Sequence, residues 1–120
     1  MPLPDGVRII RKEGDLPASE VEAEARLHQE GYTSFRWHDV PGAFYPRHRH
    51  AEDECLWILS GVLEIELTDP PAQKIKLHPG DRIYLRARTP HRASSVGGEG
   101  SSGVTYLVGQ KSAAAAGSAQ

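Results

Sequence analysis

The spacing of apolar side chains divides the chain at Gly31. Before it, Ser19-Glu-Val-Glu-Ala-Glu-Ala-Arg-Leu-His-Gln-Glu30 predicts one short helix, with Ser19 and Glu22 at capping-box spacing and Gly31 placed to stop it. Val21, Ala25 and His28 share a face at helical spacing. A helix this short is marginal alone, so that face is expected to dock on the rest of the domain, with His28 as a packing residue. After Gly31 the texture changes to short runs rich in β-branched and aromatic residues, which predict strands over 32–38, 49–60, 62–67, 74–77, 82–85, 91–95 and 104–108. Pro41-Gly42, Ser60-Gly61, Asp69-Pro-Pro71, Pro79-Gly80 and the glycine-rich run 97–103 supply the turns. Many short strands, with helix confined to the start, predict an all-β barrel or sandwich. The chain thus divides into an N-terminal arm and helix over 1–31, a barrel over 32–110, and an Ala/Ser/Gly tail over 111–120 that is expected to be disordered.

Alternation along the second of these strands gives His48, His50, Glu54, Leu56 and Ile58 one parity, expected to be the inward one. A buried histidine pair beside a carboxylate is costly unless something neutralises it. A divalent transition metal does so, since imidazole nitrogens and a carboxylate oxygen on one concave surface suit such ions. Farther on, Ile83, Leu85 and His91 share a parity, which offers His91 as a fourth ligand. The competing reading makes His48 and His50 rim residues answered by Glu52, Asp53 and Glu54 in a solvated charge cluster. Cys55, Trp57 and Leu59 occupy the other face and are also apolar, so that face needs its own cover, either the helix or a second subunit. Trp37, His38, Phe44 and Tyr45 precede the histidines as core or cavity residues, and no general base stands out apart from Tyr45 or His38.

Charge and composition narrow the partners. The 120 residues make one ordinary domain, and a net charge of −2 from 14 basic and 16 acidic side chains gives no general attraction to nucleic acid or anionic membrane. Cys55 is the one cysteine, which excludes an internal disulfide and fits a reducing compartment. No apolar run approaches the ~20 residues that span a bilayer, and nothing at the start resembles a signal core, so a soluble cytoplasmic protein is expected. Arg47, Arg49, Arg82, Arg86, Arg88 and Arg92 lie close in sequence to the histidines. They read either as solvated surface or as a positive mouth for a carboxylate or phosphate, with Arg86 and Arg88 best placed to reach a ligand.

Gly42, five residues, His48-x-His50, three residues, Glu54, six residues, Gly61 resembles the first motif of the cupin family, and Gly80-Asp81 through His91 resembles the second. The resemblance implies a double-stranded β-helix, or jelly-roll, barrel with one divalent transition metal (Fe, Mn, Ni, Co, Cu or Zn) held by His48, His50, Glu54 and His91. It also implies chemistry on a small molecule at the open metal positions, with dioxygenase-type cleavage foremost and isomerase, lyase or non-catalytic sensor as alternatives, in a homodimer. The second motif departs from the family pattern at Arg86, where Pro is usual, at Arg88, where Gly is usual, and at Ser95, where Asn is frequent. If the turn at position 88 needs a positive φ, arginine there costs on the order of 1 kcal/mol.

Overall fold

A computed structural model describes residues 3–12, 19–97 and 101–112. The tail beyond Ser112 and most of the glycine run after Gly97 lie outside these residues. One helix, α1 (Glu20–Gln29), is present among them, with nine strands: β1 (Val7–Ile10), β2 (Thr33–Asp39), β3 (Phe44–His48), β4 (Asp53–Ser60), β5 (Leu63–Leu67), β6 (Gln73–Leu77), β7 (Arg82–Leu85), β8 (His91–Ser95) and β9 (Val104–Lys111). They form two antiparallel sheets, ordered β1-β7-β4-β9-β2 and β3-β8-β5-β6. No helix of the described residues is long and apolar enough to cross a membrane.

Period-two patterning builds the core between the sheets. On β5, Leu63, Ile65 and Leu67 are buried while Glu64 and Glu66 are partly exposed. The first three pack with Leu56, Ile58, Leu77, Ile83, Leu85 and Val108 from the facing and adjoining strands. The turn closing β4 onto β5 depends on Gly61. Its φ is +80°, and a Cβ there would stand 2.1 Å from the Gly103 carbonyl oxygen, so the last glycine of the first motif is required by a backbone crossing.

The outer face of the five-stranded sheet is the second apolar surface. Cys55, Trp57, Tyr84 and Leu107 meet Ala23 and Leu27 of α1 and Tyr32 just beyond it. The helix begins as the sequence predicts, with the Ser19 side chain accepting from the Glu22 amide at 3.4 Å. Its docking face differs, because Val21, Ala25 and His28 are exposed and Ala23 and Leu27 are buried instead. Leu27 supplies the long aliphatic side chain, and Ala23 one turn earlier lets the helix approach closely. The sheet is thinned beneath it, since a Cβ on Gly109 would lie 3.3 Å from Leu27 Cδ2. Trp57 is covered within one chain by this cluster and by the Arg82 guanidinium, 4.1 Å from its ring centre. Arg82 is accordingly buried rather than solvated, and the chain's own helix meets the need for cover that the two-sided strand creates. Burial pushes the Cys55 thiol up to about 12, which leaves it an inert core group.

Two differences from the sequence reading bear on the site. β1 pairs with β7 and extends the five-stranded sheet, so the N-terminal arm contributes a strand. The single strand expected over 49–60 is instead a crossing at 49–52 that follows the end of β3 at His48, and then β4. His48 therefore belongs to the four-stranded sheet and Glu54 to the five-stranded one, and the chain between them steps from one sheet to the other.

Candidate metal centre

That crossing brings the histidines together. His48 ends β3 directly opposite His91, the first residue of β8, just beyond a register shift between Tyr45 and His48. His50 sits in the crossing, where its carbonyl accepts the Arg88 amide at 2.7 Å and so ties it to the turn before β8. The ring centres of His48 and His91 are 4.4 Å apart, those of His48 and His50 4.8 Å, and those of His50 and His91 5.6 Å. One ring nitrogen from each of the three lies within 4.8 Å of the others, a group able to hold a metal ion.

Hydrogen bonding sets which nitrogens face inward. His48 Nδ1 is 2.7 Å from the Pro46 carbonyl oxygen and His91 Nδ1 is 2.9 Å from that of Thr89. A carbonyl oxygen only accepts, so each Nδ1 carries the proton and each Nε2 presents a lone pair to the cluster. Burial, with the nearby His48 and His50, pushes His91 down to about 4 even though the Thr89 carbonyl favours the charged ring. Imidazole nitrogens gathered this closely, with the Nδ1 of two rings committed to backbone carbonyls, form a set of donors around one point. The donor set therefore fits a divalent transition metal.

Glu54 faces the same cavity but stands outside the tight nitrogen cluster. Its Oε1 is 3.5 Å from His50 Nε2, and its Oε2 accepts from Gln110 Nε2 at 3.3 Å. Burial raises its pKa, against the pull of His50 and Gln110.

The cavity of about 210 Å³ beside the histidines lies between the sheets. Phe35 and Trp37 on β2, each 45% exposed and in edge-to-face contact at 6.4 Å, stand at its mouth. Tyr45, Leu56, Tyr106 and Val108 form much of the remaining wall. Tyr45 is the sequence candidate that the structure brings to the histidines, its ring centre 6.5 Å from that of His48. Its hydroxyl donates to Asp39 Oδ1 and accepts from Trp37 Nε1 at 3.1 Å. Trp37 Nε1 also donates to Asp39 Oδ1 at 2.8 Å, and the Tyr106 hydroxyl donates to Asp39 Oδ2 at 2.6 Å. Asp39 is thus a buried carboxylate with three side-chain donors. Burial first, and then the Asp39 hydrogen bond, push the pKa values of Tyr45 and Tyr106 up.

The other candidates are placed elsewhere. His38 points to the opposite face of β2, where its Nδ1 is 2.8 Å from Thr105 Oγ1, and it does not line the cavity. Arg86 and Arg88 are exposed and do not line this cavity, but Arg86 borders a narrow crevice together with His50, Glu54 and His91. Arg88 has φ +67° and is the one non-glycine residue at positive φ among those described, so the turn does need the conformation that the motif glycine would supply. Sequence reasoning missed Asp39, Tyr106 and Gln110. The signal for Asp39 was its parity with Phe35 and Trp37 on β2.

The fold agrees with the comparisons. The Cupin_2 family model, described as a cupin domain, matches residues 35–106, and the chain belongs to this family. Solved structures with the same fold include Bacillus subtilis oxalate decarboxylase, studied for its Mn(II) centres, at TM-score 0.57 and 20% identity over 68% of this chain and 21% of that one. Another is the DMSP lyase DddQ from Ruegeria pomeroyi DSS-3, at TM-score 0.56 and 22% identity over 70% of this chain and 40% of that one. The chain therefore spans about a fifth and two fifths of those proteins, and likeness at this identity shows the fold alone. A comparison with curated protein sequences finds no match.

Proposed function

We propose that this cupin is a mononuclear metalloenzyme in which His48, His50 and His91 hold one divalent transition metal and Glu54 adds an oxygen ligand. The observation that carries the reading is the convergence of three imidazoles, two with their Nδ1 protons committed to backbone carbonyls, on a cavity that also holds a hydrogen-bonded tyrosine. The metal would supply Lewis-acid polarisation of a bound oxygen. Tyr45 is the group that can pass a proton to a ligand in the cavity, by turning its O–H away from Asp39 Oδ1, to which it is donated in the ligand-free protein. Its raised pKa keeps it protonated near neutral pH, and Asp39 with Trp37 fixes its orientation. Phe35 and Trp37 limit water at the mouth and pack against the apolar part of the ligand. Among the described residues no arginine or lysine lines this cavity, and Arg86 borders only the narrow crevice beside His50, Glu54 and His91, so a small ligand presenting one or two oxygens and a largely apolar body fits the cavity.

A hydroxyl held beside the histidines favours proton-transfer chemistry, of the lyase or isomerase kind, over dioxygenase cleavage, which has no use for it. The test is a screen of metal-loaded protein against small hydroxy, keto and onium carboxylates, run with and without dioxygen and repeated with Tyr45→Phe. Turnover without oxygen uptake, lost in Tyr45→Phe while metal content is kept, is expected. A strict dioxygen requirement, or full activity in Tyr45→Phe, overturns the reading.

A further inference from the structure

Of the arginines near the second motif, Arg86 also borders a second place in the molecule. On the outside of the five-stranded sheet, where β1, the end of β7 and the end of β9 meet, lies an open cavity of about 460 Å³, roughly twice the volume of the one beside the histidines. Its floor is Tyr32 and Tyr84, ring centres 6.2 Å apart, and its walls carry Arg8, Arg86 and Lys111. Two of the cations are fixed by aromatic contact. The Arg8 guanidinium carbon lies 4.2 Å from the Tyr84 ring centre, and Lys111 Nζ lies 4.5 Å from that of Tyr32 while donating to the Glu30 carbonyl oxygen at 3.1 Å. Arg86 is held at its base, because its amide donates to the Gly6 carbonyl at 2.9 Å and its side chain occupies the space that a Cβ on Gly6 would need, 2.8 Å from Arg86 Cβ.

Among the described residues, Arg8, Arg86 and Lys111 form no salt bridge with a carboxylate. The one acidic residue lining the cavity, Asp53, has Oδ1 occupied by the Ala87 amide at 2.7 Å. Glu30 lies beyond the lining, its carboxylate accepting from the Tyr84 hydroxyl at 2.6 Å. Three cations against one carboxylate leave the walls two charges positive, on a chain whose net charge is −2. Such a concentration of unpaired guanidinium and ammonium groups over an aromatic floor is suited to a dianion carrying a flat or apolar group.

We propose that this cavity is a binding site for a phosphate monoester, with the phosphoryl group held by Arg8, Arg86 and Lys111 and the ester group resting on Tyr32 and Tyr84. The charge matches, since a monoester carries close to two negative charges at neutral pH. The volume exceeds what a bare phosphate fills, and the aromatic floor gives the remainder of the ligand a surface to cover. None of the clustered histidines lines this site, although Arg86 also borders the crevice beside His50 and His91, and the site does not depend on the activity proposed for the cluster.

Calorimetric titration of the full-length, metal-free protein with phenyl phosphate at low ionic strength tests this, with inorganic phosphate as the second titrant. Saturable one-to-one binding of phenyl phosphate is expected, tighter than that of inorganic phosphate, because only the ester reaches the tyrosines. Arg8→Gln and Arg86→Gln should each weaken it by about tenfold, as expected for loss of a charged hydrogen-bond partner. His50→Ala, which disturbs the histidine cluster, should leave it unchanged. Lys111→Gln provides a third variant should removal of the Arg8 contact with Tyr84 impair folding, as judged by thermal melting. Absence of saturable binding, equal affinity for the two titrants, insensitivity to the folded charge variants, or loss in His50→Ala overturns the proposal.

Discussion

Arg88→Gly should stabilise this protein even though it removes a large side chain. Arg88 stands at φ +67° in the turn between β7 and β8, is exposed, and among the described residues forms no side-chain hydrogen bond or salt bridge. An L-residue in that conformation costs roughly 1–2 kcal/mol, from the approach of Cβ to the following carbonyl. Glycine removes the cost but returns about 0.5–1 kcal/mol through the greater freedom of the unfolded chain. The difference is a gain of about 0.5–1 kcal/mol, which for a domain of this size raises Tm by about 2–4 °C. The backbone contact that matters to the site, the Arg88 amide on the His50 carbonyl, survives because glycine keeps its N–H. Arg88→Ala is the control, since alanine keeps the Cβ and with it the strain. Thermal and urea melting of the three proteins side by side is the assay. A stability order with glycine above arginine, and alanine no better than arginine, supports the backbone origin. If glycine melts at or below the wild-type temperature, or alanine stabilises as much as glycine, the reasoning is wrong and the side chain is at issue.

Two further outcomes concern the scaffold. Leu27→Ala empties the contact between α1 and the outer sheet face, where Leu27 is fully buried. It should cost about 2–5 kcal/mol in urea unfolding, and a loss below ~1 kcal/mol would mean that the helix contributes little there. Asp81→Asn should cost about 1.5–3 kcal/mol at pH 7, since Asp81 accepts from the backbone amides of Lys12 at 2.8 Å and His78 at 2.9 Å and from the exposed Arg11 at 3.0 Å. Burial alone would raise the Asp81 pKa, but the two amides and then Arg11 outweigh it and hold the pKa below its ordinary value. A depressed folded pKa means that the contribution is complete above the unfolded value near ~3.9 and fades as pH falls through the folded one, so the gap between wild type and Asp81→Asn should narrow in acid. A gap independent of pH from 7 down to 3 would contradict this assignment.

Much of the site was readable along the chain, though not always for the reason that alternation supplied. His48, His50 and Glu54 do face one cavity, but they reach it from two sheets, because the polar run 49–52 leaves one sheet and enters the other. Strand parity across that run is therefore accidental. The run Arg49-His-Ala-Glu52, without a β-branched residue, was the available sign of the break. The helix was legible from its cap and stop, whereas its buried face was not, since Ala and Leu at 23 and 27 compete with Val, Ala and His at 21, 25 and 28 and only the sheet's thin spot at Gly109 decides. Asp39 was hidden for a different reason. A lone aspartate before Val-Pro-Gly reads as the start of a turn, and what makes it a buried acceptor is three donors from β2, β3 and β9 that meet only in the folded protein. Arg86 and Arg88 follow the last inward residue of β7 and do not line the larger cavity, while Arg86 does border the narrow crevice shared by His50, Glu54 and His91.

The central claim is that three imidazoles close on a single metal ion. Elemental analysis by mass spectrometry of protein purified without chelator, and again after chelation and reloading, measures it directly, with the His48→Ala/His50→Ala double variant alongside. The account predicts close to one divalent transition-metal ion per chain in the wild type, a fall in Tm on chelation that reloading reverses, and neither metal nor that response in a double variant that still folds. A folded wild-type protein that carries no metal and takes none up, or a double variant that binds as much as wild type, would contradict it.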